Sequence, residues 1–162
     1  MLKAALFSLL CLNVTAAQAL GSEEILGTWK FVSSTRKVLE TNEEFNTYGP
    51  HPTGWINYGR DGRVMALIVN DDRPKPESIE KMTDADRIKL FKTVLAYSGT
   101  YSFDGKSVAH KIDTSWNEVW TGTTQIREVE RQGDRLIYRT RPAPFSGDGR
   151  MSVVTLIWEK AR

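Results

Sequence analysis

Apolar and polar residues alternate with a period of two along most of this chain. Trp29, Phe31 and Ser33 fall on one face of a segment that opens at Gly27, with Lys30, Val32 and Ser34 opposite, predicting a first strand with an inner side. Val108, His110 and Ile112 share the more apolar face of another segment, against Ala109, Lys111 and Asp113. Arg36 to Tyr48 reads as a polar hairpin turning near Thr41-Asn42-Glu43, an edge whose charge discourages aggregation. After the break at Gly49 to Gly54, Trp55 to Tyr58 forms a strand. Asp61-Gly62 then supplies the positive φ angles of a tight turn.

Val64 to Val69 is apolar on both faces, so its outer side should be covered. The expected cover is a helix. Thr83 with Asp86 three residues on resembles a capping box, and Ile88, Phe91 and Leu95, flanked by Val94, recur at helical spacing. Such a stripe reads as packing, with a lid over a site as the alternative. From Gly99 the pattern returns to strands: Thr100 to Phe103, Ser107 to Ile112, Thr123 to Glu130, Leu136 to Thr140 and Met151 to Glu159. A segment bearing Trp116 and Trp120 interrupts them. The count is about nine short strands, within a range of eight to ten, joined mostly by tight turns, with one mid-chain helix; this is the pattern of an all-β antiparallel barrel or sandwich.

The N-terminus changes the boundaries. Lys3 precedes an apolar run from Ala4 to Val14, and Ala17-Gln18-Ala19 matches the small-x-small pattern before a signal-peptidase cut. The run is about half the roughly 20 residues a membrane span needs, so residues 1–19 read as a cleaved signal. The expectation is an exported protein, periplasmic or secreted, with one domain over residues 20–162 and no stable membrane insertion after cleavage. The lone cysteine, Cys11, lies inside that signal, which leaves the mature domain without disulfide, thiolate metal site or cysteine nucleophile. Lys3 is also the only charged residue removed, so 22 Lys and Arg against 20 Asp and Glu become nearly balanced. Such a chain has no global field to hold nucleic acid, and none is expected as a partner.

Candidate chemistry gathers around His110. On the apolar face of its strand it could serve as general acid or base, touch a ligand, or be a core histidine satisfied by a neighbouring carbonyl or tyrosine. Gln125 and Arg127 share a strand face with Thr123 and Val129, on the strand expected beside that of His110. If this face is inward, an amide and a guanidinium converge there, enough to hold a carbonyl, carboxylate or enolate oxygen. Tyr58, Tyr97 and Tyr101 could donate hydrogen bonds into a cavity, and Trp55, Trp116 and Trp120 could wall it, although aromatics in a barrel also serve as core. His51 and His110 are the only histidines, and His51 sits between prolines, so no metal site is expected. Neither a Gly-rich phosphate loop nor Gly-x-Ser-x-Gly occurs, and no cofactor is implied. Ser98 or Ser115 beside His110 lacks a third group to orient the base.

Taken together, Leu26-Gly27-Thr28-Trp29, Gly54-Trp55-Ile56-Asn57-Tyr58, Asp61 to Met65, Arg73-Pro74, Tyr97 to Tyr101, Val108-Ala109-His110, Trp120-Thr121-Gly122, Gln125-Ile126-Arg127, Gly133 to Leu136 and Trp158-Glu159 resemble the bacterial and fungal lipocalin-like domain family. The resemblance implies an up-and-down lipocalin-like β-barrel enclosing one small, mostly apolar molecule. It also offers Arg127 a second role, stacking on Trp29 as an arginine does on the Gly-x-Trp tryptophan of lipocalins.

Three functions are then open. The first is a binding protein whose ligand meets Tyr58, Tyr97, Tyr101, His110, Trp116, Trp120, Gln125 and Arg127. The second is a cofactor-free isomerase, cyclase or dehydratase with His110 as acid/base and Arg127 at a developing oxyanion. The third is an envelope protein with a filled core that uses the loops at 49–54 and 141–150 on a partner.

Overall fold

The computed structural model describes residues 20–162, so the expected signal at 1–19 lies outside it. Ten strands follow in order: β1 (Gly27–Val38), β2 (Glu44–Asn46), β3 (Thr53–Tyr58), β4 (Arg63–Val69), β5 (Val94–Phe103), β6 (Ser107–Ser115), β7 (Thr124–Gln132), β8 (Arg135–Arg139), β9 (Ala143–Pro144) and β10 (Met151–Lys160). One helix, α1 (Asp84–Lys92), enters between β4 and β5. Each long strand pairs antiparallel with the next, and β10 pairs with β1 from Trp29–Lys160 to Val38–Ser152. The result is a closed up-and-down barrel of eight strands, with β2 and β9 as short additions at its edge.

The period-two pattern becomes the inside of this barrel. Val64, Ala66 and Ile68 point in, as do Val108, His110 and Ile112. Two irregularities adjust it. Gly99 sits where the β5–β6 register shifts, and a Cβ there would come within 2.1 Å of the Lys111 carbonyl, so only glycine permits the approach. On β1 the register shifts between Phe31 and Ser33, leaving Val32 without a partner on β10. Ahead of this bulge the odd residues Trp29 and Phe31 are buried; beyond it the even residues Ser34, Arg36 and Val38 are. Ser33 therefore does not share the face of Trp29 and Phe31, and Arg36 points into the barrel.

The helix corrects a second expectation. Its capping box is present, with Thr83 Oγ1 accepting from Asp86 N at 3.1 Å and Asp86 Oδ2 accepting from Thr83 N at 3.0 Å. It stops at Lys92, because Arg73 Nη1 donates to the carbonyls of Leu90 and Thr93, while Val94 and Leu95 already belong to β5. Ile88 and Phe91 are 55% and 53% exposed, and no residue of α1 is buried. The helix thus does not cover the outer face of β4. Met65, on the outer face of β4, stays 65% exposed, and Leu67 is exposed beside it.

The two ends of the barrel are filled differently. A short 3-10 turn (Ser22–Glu24) and Ile25 plug one end, where Trp29, Phe31, Ile56, Tyr58, Val64, Val108, Leu136, Tyr138 and Trp158 form a continuous core. Trp29 is fixed there by its Nε1 donating to the Ile25 carbonyl at 2.8 Å. The opposite end is hollow.

Candidate functional site

The hollow end holds a half-open cavity of about 680 Å³, within the range of small-molecule sites. Its apolar walls come from Val94 and Leu95 at the start of β5, Val154 and Leu156 on β10, and the pair Trp116 and Trp120 after β6. The two indoles meet edge to face, 5.0 Å apart. Polar groups enter from β7, where half-buried Gln125 and Arg127 alternate with the exposed residues Thr124 and Ile126, and from Tyr48 after β2.

A strap of residues 143–147 lines one side of the cavity as a continuous segment. It is held by Arg36, which the β1 bulge has turned inward. Arg36 Nη1 and Nη2 donate to the two carboxylate oxygens of Asp148 at 2.9 and 2.7 Å, its Nε donates to Ser152 Oγ at 2.9 Å, and its guanidinium lies 4.1 Å from the Phe145 ring centre. The fork keeps the Asp148 carboxyl well below the usual carboxylate range.

Between cavity and core runs a chain of hydrogen bonds. Tyr138 Oη lies 3.0 Å from Tyr58 Oη, Tyr58 Oη 2.7 Å from His110 Nε2, and His110 Nδ1 2.7 Å from Tyr97 Oη. His110 is 1% exposed, and burial first, then the nearby Arg127, pulls its pKa down to about 3. The imidazole is therefore neutral at physiological pH, with one nitrogen donating and the other accepting. The direction follows from where a spare hydrogen can be tolerated. Were Nε2 the donor, Tyr58 would donate to Tyr138, and the Tyr138 hydrogen would be left unpaired in the core at a cost of about 1–3 kcal/mol. With Nδ1 the donor, Tyr138 donates to Tyr58, Tyr58 to His110 and His110 to Tyr97. The spare hydrogen then belongs to Tyr97, which stands at the cavity side of the core, its ring 6.1 Å from Trp120. Burial pushes the Tyr97 hydroxyl up to about 12. It stays a donor.

The residues singled out from sequence separate accordingly. Trp116, Trp120, Gln125 and Arg127 line the cavity, and Tyr97 stands just behind its wall. Tyr58 and His110 lie beneath it in the core, where His110 is the tyrosine-satisfied histidine rather than a group facing a ligand. Tyr101 donates to the Gly59 carbonyl at 3.0 Å, away from the cavity. Trp55 points outward and is exposed. Arg127 does not stack on Trp29, because Lys160 occupies that position: its Nζ lies 4.5 Å from the Trp29 ring centre and donates to the Leu26 carbonyl. Sequence reasoning missed Tyr48, Arg36 and the strap, which leave no periodic signal. Among the described residues no group of His, Cys, Asp and Glu is arranged to hold a metal ion.

The profile of the lipocalin-like domain family matches residues 26–161. No curated protein sequence matches the chain. Among solved structures, an uncharacterized protein from Bacteroides eggerthii aligns over 85% of this chain and 99% of its own, at 11% identity and a TM-score of 0.39. So loose a likeness carries no argument. With the closed eight-stranded barrel and a family match spanning nearly all described residues, the chain belongs to the lipocalin-like domain family.

Proposed function

We propose that this protein binds one small, mostly apolar molecule with a polar end, the polar end meeting Arg127 and Gln125 and the body lying against Trp116, Trp120, Val154 and Leu156. The observation that carries this reading is the cavity itself: about 680 Å³ beside a strap tied by Arg36, walled largely by apolar side chains, with Gln125 and Arg127 entering from β7. A filled core, which the partner-protein reading requires, is not what these residues form.

The catalytic alternative draws little from the geometry. Both nitrogens of His110 are engaged by tyrosines, and the ring is buried beneath the cavity and absent from its lining, so it does not touch a molecule bound there. Export belongs to the same proposal and rests on the pattern of residues 1–19.

Native mass spectrometry of the protein purified from its own host is the test. Extra bound mass should be found, and it should be lost in Val154→Trp, which fills the cavity. A bare mass, together with no uptake of neutral apolar dyes, would remove the binding reading. Intact mass also tests export: a chain beginning at Leu20 is expected, and a retained Met1 in extracytoplasmic fractions would contradict a cleaved signal.

A further inference from the structure

The cavity has a sign. The chain is close to neutral, with 22 basic and 20 acidic residues, yet the cavity lining holds Lys92, Arg127 and Arg141 and not one Asp or Glu. Lys92 and Arg141 are exposed, whereas Arg127 is half-buried. Its guanidinium reaches Gln125 Oε1 only at 3.4 and 3.5 Å, and its one short bond, 2.9 Å, goes to the neighbouring Ile126 carbonyl. Most arginines of this barrel have a carboxylate partner, as Arg36 has Asp148 and Arg139 has Glu130. Arg127 has no carboxylate partner among the described residues. A guanidinium offers five N–H groups, and only one of these makes a short bond here.

The groups beside it are donors too. Tyr97 keeps a spare hydrogen if the chain through His110 runs in the direction argued above, and the Tyr48 hydroxyl, raised by burial, remains protonated. A half-buried cation flanked by phenol donors is matched by a group that only accepts hydrogen bonds and carries negative charge. Arg127 is the one half-buried cation of the lining and matches one charge; a second charge would have only the exposed, water-screened Lys92 and Arg141 to meet it, so placing it among apolar walls is costly.

From this we infer that the occupant is an organic monoacid, an apolar body ending in a single carboxylate-like group that pairs with Arg127. This rests on the cavity-binding reading above and names the class of ligand for it.

Two dyes that share a skeleton and differ by one sulfonate separate the claims: neutral N-phenyl-1-naphthylamine and anionic 8-anilino-1-naphthalenesulfonate. Titration at low salt should show both binding the native protein, the anionic dye about tenfold tighter, which corresponds to about 1.4 kcal/mol. Arg127→Gln should abolish that preference while leaving the neutral dye bound within about threefold, which also reports that the variant is folded. Arg127→Lys should restore part of it. Decanoate should displace the neutral dye better than 1-decanol does from the native protein, and no better from Arg127→Gln. Equal affinities for the two dyes, or a preference that survives Arg127→Gln, would overturn the monoacid while leaving the apolar cavity intact. Binding of neither dye would sink the cavity-binding reading and this inference together.

Discussion

The two ends of this barrel treat polar groups in opposite ways. At the packed end nearly every buried donor is spoken for: Trp29 by the Ile25 carbonyl, Tyr138 by Tyr58, Tyr58 by His110 and His110 by Tyr97. Among the described residues only Trp158 Nε1 is buried without a partner. At the hollow end the arginine is loosely engaged and a phenol hydrogen is left over. Both ends are built from the same alternating strands, so apolar content does not distinguish them. What distinguishes a core from a site here is unspent hydrogen-bonding capacity.

The largest way to break this contrast is Trp29→Ala, which empties the packed end. It should cost about 3–5 kcal/mol in urea unfolding, the range for deleting a large buried aromatic. A loss below about 1 kcal/mol would mean that the plug at this end is dispensable.

The relay between the ends can be read by pH. His110 is held neutral when folded, with a pKa of about 3 against an ordinary 6.5. Below about pH 6.5 the unfolded chain takes up a proton that the folded chain refuses, so this group's stabilisation is complete above that pH and is lost on acidification, by up to about 1.4 kcal/mol per pH unit. Between pH 6.5 and 5, above the carboxylate range, His110→Gln should flatten the stability slope measured by urea titration. An unchanged slope would place the titrating group elsewhere.

Tyr58→Phe sharpens the same point without altering shape. It strands a hydrogen of Tyr138 and a nitrogen of His110, and about 1–3 kcal/mol of stability should go, whereas Tyr97→Phe, at the cavity side, should cost less and weaken ligand binding instead. A smaller change is expected from Arg36→Ala, which frees the strap. Stopped-flow dye release should quicken while the melting temperature falls less than in Trp29→Ala, and an unaltered release rate would mean the strap does not gate the cavity. Smallest of all, Ile88→Ser on the uncovered helix should change stability by no more than about 0.5 kcal/mol. A loss of 2 kcal/mol or more would show that the helix packs on something after all.

Much of the barrel was legible because its causes are local. Asp-Gly turns need no tertiary context, the capping box at Thr83 is a four-residue device, and the burial of Val108, His110 and Ile112 follows from a period of two. The helix stripe misled because Leu90 to Leu95 spans a helix end and a strand start, and residues spaced to suit one helical face run on into β5. Which end of the barrel is hollow was not legible at all, since inward residues look alike in sequence whether they meet a core or a cavity. For Arg127 the sequence left an inward face and a stack on Trp29 as alternatives, because period two alone does not say which face of β7 is inner, and the structure has it in the cavity lining. The inward turn of Arg36 depends on a bulge at Val32 that no glycine announces.

That bulge makes chain length at one point a carrier of information. Were Val32 paired and the strand to alternate strictly from Trp29, the side chain of Arg36 would go to water and those of Thr35 and Lys37 would come in, while Trp29 and everything ahead of it kept its place. One residue that goes unpaired thus sets the facing of the rest of β1 without touching what precedes it. In this strand the pocket is shaped by a count of residues, and Val32 is the one in excess.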